Sequence, residues 1–238
     1  MNIAIIPARG GSQRIPHKNI KEFLGQPIIN YSIQAAKGSG VFDEIVVSTE
    51  DQEIADVAKA AGANIPFMRP KELADDDVPM YEVVRFTLAE LSKQNHHFEN
   101  CCMIYATAPM ISGDYIRLAL DTMIAEAADV CIPVVRSPWH FQRAMIIEDG
   151  RLRMVFPGQK DKTSNLWFDT YHHAEMFWWM SIPRLMMNGN LFPPKAAPFI
   201  VDWQSVFPID TPEDWTDAEN RFIDHFKKTW EGRTNGNH

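Results

Sequence analysis

The segment "IIPARGGSQRIPHKN", residues 5–19, joins an apolar run to Gly10-Gly11-Ser12 and to the cations Arg9, Arg14 and Lys18. Paired glycines let backbone N–H groups approach an anion closely, and guanidinium and ammonium groups neutralise it. Three cations around one turn suit a triphosphate better than a single phosphate. A dinucleotide-binding turn would read GxGxxG and a Walker A loop GxxxxGK[ST], and neither is present. On residue types alone, a phosphate cradle and a solvated basic turn both remain open.

Two further segments carry candidate chemistry. In "IDTPEDW", residues 209–215, Thr211 suits a helix N-cap, Pro212 the first helical position, and Glu213 and Asp214 the first turn. Capping therefore accounts for Thr211, Glu213 and Asp214 better than for Asp210. In "YHHAEMFWWM", residues 171–180, strand alternation places Tyr171, His173, Glu175, Phe177 and Trp179 on one face. Such a polar and aromatic face either lines a sugar pocket or belongs to the core. Gln142 and Arg143 offer an amide and a guanidinium to a ligand carboxylate, with Arg136 a weaker candidate. The pairs His96-His97 and His172-His173 do not chelate as pairs, because neighbours on a strand point to opposite faces.

The elements that position these residues follow from periodicity. Short apolar runs at 2–7, 44–48, 101–105 and 129–135 predict buried, mostly parallel strands. Helical spacing at 27–37, 51–61, 80–93 and 114–127 alternates with them, which predicts a doubly wound α/β layer. Ligands in such layers bind at the carboxyl ends of the strands, where residues 8–19, 49–51 and 106–110 fall. Beyond 135 the pattern changes. Asp149-Gly150 centres a predicted hairpin over 145–156, residues 160–165 read as a loop, and 171–180 as a further strand. Residues 212–228 read as a closing helix and 229–238 as a frayed tail. A single domain is expected, its core about 1–135 and 171–228. Leu152, Met154, Phe156, Leu166, Trp167 and Phe168 make an apolar arm within 136–170 that packs either within the chain or across a dimer.

The 238 residues, 45% of them hydrophobic, support a substantial core. A net charge of −8 without a basic block argues against a nucleic-acid partner, so positive charge for an anion must be local. The chain has no apolar leader and no apolar run of membrane-spanning length, which predicts a cytoplasmic protein without membrane contact. Cys101, Cys102 and Cys131 fall in apolar runs and read as buried free thiols.

Residues 8–19 resemble the ARGGSKRIPxKN signature of the acylneuraminate cytidylyltransferase family, which activates sialic-acid-like sugars with CTP. The likeness continues through "VSTEDQEIADVAKAAGA" (47–63), "RPKELADDD" (69–77), "YATAP" (105–109) and "IDTPEDW", nearly the whole chain. "YATAP", "RSPWHFQRAM" (136–145) and "TYHHAEMFWW" (170–179) are most similar to members that act on pseudaminic acid. The resemblance implies a Rossmann-like nucleotidyltransferase core, a β-hairpin dimerisation arm and a homodimer. It also implies Mg²⁺-dependent transfer of CMP from CTP to the anomeric hydroxyl of a nonulosonic acid, with release of pyrophosphate, in surface-glycan or flagellin-glycan precursor activation.

By position in the family, Arg9, Lys18 and Asp210 would be catalytic, and Asp210 would hold the metal. CTP would meet Ala8, Arg9, Gly10, Gly11, Ser12 and Gln13, then Arg14, Lys18, Asn19, Arg69 and Ala106. The sugar would meet Gln142, Arg143, Tyr171, His173, Glu175 and Phe177. This chain departs from the family at several points. Gln13 replaces a lysine, Met80 a hydroxyl residue, His17 a position often arginine, Pro208 the first acid of Asp-Ile-Asp, and His173-Ala174-Glu175 an Asp-Ala-Gly sequence. Alternative readings keep the reaction with sialic, legionaminic or keto-deoxyoctulosonic acid, or make the chain a nucleotide-binding homologue weakened in catalysis.

Overall fold

In the run Asn2–Pro7 all four interior residues are buried, and a strand apolar at both odd and even positions needs cover on both faces. The computed structural model describes residues 1–163, 168–188 and 193–234, with backbone only at 188 and 226–234. In chain order its elements begin β1 (Asn2–Pro7), β2 (Glu22–Phe23), β3 (Gln26–Pro27), α1 (Ile28–Ser39), β4 (Glu44–Ser48) and α2 (Gln52–Ala60). They continue with α3 (Met80–Lys93), β5 (Asn100–Ile104), α4 (Gly113–Ala125), β6 (Val130–Arg136), β7 (Met145–Glu148) and β8 (Arg151–Met154). The last are β9 (Tyr171–His173), β10 (Phe177–Ser181), α5 (Ile182–Asn188), β11 (Ala196–Ile200) and α6 (Pro212–Thr234).

Seven strands form one sheet in the order β11-β6-β10-β5-β1-β4, with β9 also paired to β6. β1 is parallel to β4 and β5, and β11 to β6, whereas β10 runs antiparallel between β5 and β6. Alternation along β1 divides the core. Ala4 and Ile6 pack with Ile33 of α1 and Ile116 of α4, while Ile3 and Ile5 pack with Leu88 of α3 and Leu185 of α5. Trp179 of β10 is fully buried, stacks on Phe42 and donates its indole N–H to the Ile116 carbonyl at 2.8 Å. Burial of so large a ring with its one donor satisfied stabilises the centre of the sheet.

The predicted strands and helices before residue 136 form within two residues of their expected ends. Asp51 caps α2 by accepting from the N–H groups of Glu53 and Ile54. Asp149 and Gly150 both take positive φ, 52° and 72°, as a tight hairpin turn requires. β7 and β8 form that hairpin, with Ile147 and Leu152 opposite each other and mostly exposed.

Two expectations change beyond it. The predicted strand over 171–180 is two strands, because β6 residue Val134 pairs with His173 but Cys131 pairs with Trp179. Three extra residues bulge out between them, so the predicted common face does not form. The closing helix runs to Thr234, past the expected end at 228 and into the expected tail. Leu166, Trp167, the loop end at 164–165 and the tail residues 235–238 lie outside the described residues.

The start of α6 is held by a reciprocal cap. Asp214 accepts from the N–H groups of Asp210 and Thr211 at 3.0 and 2.8 Å, and Thr211 Oγ1 accepts from Asp214 N–H at 3.2 Å. The Asp210 N–H, and then that of Thr211, hold the Asp214 carboxyl below its ordinary value. A depressed carboxylate adds stability above its unfolded pKa and loses it as pH falls through the folded one. Urea unfolding should therefore show Asp214→Asn less stable than the parent at pH 7, with the gap closing as pH drops below the ordinary carboxylate range. Thr211→Ala should cost roughly 0.5–2 kcal/mol.

Candidate active site

The carboxyl ends of β1 and β5 open into a cavity of about 290 Å³. This is where strand order reverses, since the chain passes from β1 to β4 on one side and to β5 on the other. The loop after β1, the segment from Arg69 to Met80, Tyr105 to Thr107, Glu175, and Phe207 to Asp210 form its wall.

The loop backbone is held from beneath by a buried ion pair. Arg69 and Glu50 meet at 2.6 Å with side chains 3% and 11% exposed. Arg69 also donates to the carbonyls of Ser48 and Ala8, at 3.2 and 3.3 Å. The second Glu50 oxygen accepts from Gly10 N–H at 2.8 Å. Burial pushes the Arg69 guanidinium below its ordinary value and Glu50 opposes that shift. Gly10 has no room for a side chain, because a Cβ would lie 2.3 Å from Asp51 Oδ2. Asn19, itself buried, donates to the Arg9 carbonyl at 2.9 Å and closes the loop.

Above this base the cations are met by acids. Arg9 pairs with Asp76 and donates to the Ala74 carbonyl at 3.2 Å, and Gln13 donates to Asp76 at 3.0 Å. Arg14 and Lys18 both reach Asp210 Oδ1, at 3.0 and 3.3 Å. The helix cap is made by Thr211 and Asp214, so the Asp210 carboxylate is committed to the cavity. It approaches the loop because Ile15, Phe23 and Ile28 pack with Ile209, Trp215 and Ala218.

Ala8, Arg9, Ser12, Arg14, Lys18 and Asn19 thus share one wall system with Arg69, Ala106, Glu175 and Asp210. Gly10 and Gln13 belong to the same loop but turn toward Glu50 and Asp76, and Gly11 completes it without lining the wall. The expected sugar side is not assembled in this way. Gln142 is buried in a 3-10 turn with Arg143, and its amide donates to the Phe168 carbonyl at 3.2 Å. Tyr171 and His173 lie exposed on β9 outside the cavity wall. Phe177, expected to face the sugar, is fully buried in the core. The bulge separates Glu175 from these residues and turns it into the cavity.

Tyr105 stands beside it and donates its backbone N–H to the Met176 carbonyl at 2.9 Å. Burial, followed by the Glu175 charge, pushes the Tyr105 hydroxyl up to about 12. Residue reasoning missed Glu50 and Asp76. A signal existed for Glu50, which follows β4 at a strand end where ligands gather. Asp76 carried none beyond an acidic run.

A mostly parallel sheet whose first strand feeds a glycine loop ringed with cations is the architecture of a nucleotide-handling α/β protein. Residues 3–165 match the family model described as Cytidylyltransferase. The chain belongs to the cytidylyltransferase family and is a CTP-using nucleotidyltransferase. It is 36% identical over 215 residues to a pseudaminic acid cytidylyltransferase of Campylobacter jejuni, covering 90% of this chain and 92% of that protein. A CMP-N,N'-diacetyllegionaminic acid synthase of Legionella pneumophila is 37% identical over 119 residues, half of this chain and 51% of that protein. In fold, it is similar to CMP:2-keto-3-deoxy-manno-octonic acid synthetase solved with CTP, with TM-score 0.68 and 17% identity over 94% of this chain and 99% of the other.

Removing one partner of a buried ion pair leaves an uncompensated charge and costs about 3–5 kcal/mol. Glu50→Ala should lower the unfolding free energy by that order in urea. Glu50→Gln keeps an acceptor for Gly10 and should lose less, so equal losses for the two variants would count against the role given to Gly10.

Proposed function

We propose that the enzyme transfers CMP from CTP to the anomeric hydroxyl of a nonulosonic acid, pseudaminic acid first, in the supply of activated sugar for surface or flagellin glycans. The observation that carries this reading is the likeness, over 90% of the chain, to the C. jejuni pseudaminic acid cytidylyltransferase, on a cavity where Arg9, Arg14 and Lys18 converge. The legionaminic relative favours a second acceptor of the same class. Use of CTP fits a cytoplasmic setting, and no helix among the described residues is long and apolar enough to cross a membrane.

Attack on an α-phosphate is chiefly a matter of positioning and charge neutralisation. The sugar hydroxyl loses its proton to solvent and forms a bond to the α-phosphorus, and the bond to the β-phosphate oxygen breaks with its electrons leaving on pyrophosphate. Arg9, Arg14 and Lys18 exchange their carboxylate partners for phosphate oxygens and hold the leaving group, with Ser12 donating a further hydrogen bond. The backbone of Ala8 reads the base. Arg69 lies near base and ribose, and its buried Nε has no partner among the described residues, which leaves a donor for the nucleotide.

Mg²⁺ takes one or two carboxylates together with phosphate oxygens and water. Asp210 suits such a shell, since its carboxylate faces the phosphate-binding cations and takes no part in the helix cap. Bound there, the ion would offset charge on the phosphates. Pro208 brings no second carboxylate to that end of the wall.

The exposed apolar hairpin, with Ile147 and Leu152 at its centre and Phe156 and Phe168 nearby, fits a homodimer arm. Light scattering should give a mass near twice 27.2 kDa, and a monomer mass would reject the arm. Pyrophosphate release should require CTP, Mg²⁺ and one of pseudaminic, N,N'-diacetyllegionaminic or N-acetylneuraminic acid, with pseudaminic acid fastest. CTP binding without release on any of them would favour a homologue weakened in catalysis. Asp210→Ala should lower turnover at least about 100-fold, as loss of a charge-organising group does, with the melting temperature kept. Retained turnover would place the metal elsewhere.

A further inference from the structure

Glu175 occupies its place against two physical preferences. Its φ is 48°, in the left-handed region that glycine enters freely and a β-carbon opposes. It is half-buried, yet its carboxylate makes no hydrogen bond or ion pair among the described residues. Asp76 and Asp210, on the phosphate side of the cavity, each hold cations. Of the six non-glycine residues with positive φ among the described residues, Glu175 alone lines the cavity. The bulge does not need a glutamate, for it is pinned by backbone bonds from Ala174 N–H to the Pro133 carbonyl and from Tyr105 N–H to the Met176 carbonyl. Any residue tolerant of that φ would keep them.

Strain and a carboxylate without a partner among the described residues, held together in a cavity wall, point to a ligand group that compensates both. A side recess of about 10 Å³ beside the main cavity is lined by Glu175, Ser205, Met110 and Phe207. That volume admits one group the size of a water or hydroxyl. Tyr105 lines the main cavity with Glu175, outside this recess, and its hydroxyl meets the Trp178 side chain.

We propose that Glu175 determines acceptor specificity, its carboxylate taking a hydrogen bond from one hydroxyl or amide N–H of the sugar acid in this recess. The same charge repels the carboxylate of the acceptor and turns it toward the cationic end. Acceptors that present an apolar or anionic group at the recess are refused, since a half-buried carboxylate shut off from water without a partner costs more than a lost contact. This inference rests on the reading of the acceptor as a nonulosonic acid.

The test compares wild type with Glu175→Gly and Glu175→Gln in pyrophosphate release from CTP, using pseudaminic, N,N'-diacetyllegionaminic and N-acetylneuraminic acids. Glu175→Gly relieves the backbone and should raise the melting temperature by about 2–4 °C. On the wild type's preferred acceptor it should lose about 10- to 100-fold in kcat/KM, the range of a hydrogen bond to a charged group, and the lead over the other two acids should shrink. KM for CTP should stay within about twofold, and Glu175→Gln, which keeps the acceptor atom, should lose less. An active wild type matched by an equally active and selective Glu175→Gly overturns this proposal alone, and a variant that loses CTP affinity assigns Glu175 to the nucleotide instead. A lowered melting temperature overturns the strain. Silence of the wild type on all three acids overturns the acceptor reading and this one with it.

Discussion

A loop made of glycine and serine cannot hold its own shape, so the site depends on the buried Glu50–Arg69 pair beneath it. Each partner also bonds backbone, Arg69 through its terminal nitrogens to Ser48 and Ala8 and Glu50 to Gly10. The ends of β1 and β4 and the segment entering at Arg69 are thereby tied at one point. A buried pair of this kind is weak evidence for net stability, because desolvation offsets most of the attraction. Its value here is geometric. It fixes the backbone from Ala8 to Gly10, where a nucleotide would meet the protein, while Arg69 also lines the cavity wall.

The opposite wall is positioned by packing instead of charge. Phe23 meets Tyr31, Trp215 and Phe222 edge to face at 5.5 to 5.6 Å, and Lys21 lies over the Trp215 ring at 4.4 Å. This cluster joins the segment after the phosphate loop to the closing helix nearly 200 residues later. Asp210 reaches Lys18 as a result. The division of labour at the helix start matters as much, since Thr211 and Asp214 satisfy its N–H groups and spare Asp210 that task. A net charge of −8 is then no obstacle to anion binding, because the few cations that count are gathered by the fold.

Much of this was legible from residue types. Strands of the parallel layer announce themselves as apolar runs, and their helices as 3.6-residue patterns, because burial enforces both periods locally. The capping residues of α6 were equally plain, each having one physical use. The sugar side was not. Period-two reasoning assumes an unbroken strand, and it failed at Ala174 to Met176, where three extra residues are accommodated against β6. Nothing local in "HHAEMF" signals that bulge. It arises because β10 must run antiparallel between β5 and β6 while β9 pairs further along β6, a requirement of the whole sheet. Phe177 consequently went to the core and Glu175 to the cavity. Glu50 was hidden for the opposite reason, since a glutamate after a strand is ordinary until the arginine 19 residues on is folded against it.

Ion pairs of the same composition serve opposite ends in this site, and burial separates them. Glu50 and Arg69 are shut away from water, so parting them exposes no substitute solvation and the scaffold holds. Arg14 and Asp210 are 68% and 47% exposed, and Arg9 and Asp76 also reach solvent. Pairs at such exposure contribute about 0–1 kcal/mol, little enough for an incoming phosphate with its greater charge to displace. In the proposed reading the carboxylates would keep the cations gathered while no anion is present and yield when one arrives. The free protein thus keeps its positive charges aligned at small cost, and on the proposed function Asp210 would be released beside the phosphates, where a divalent cation would need it.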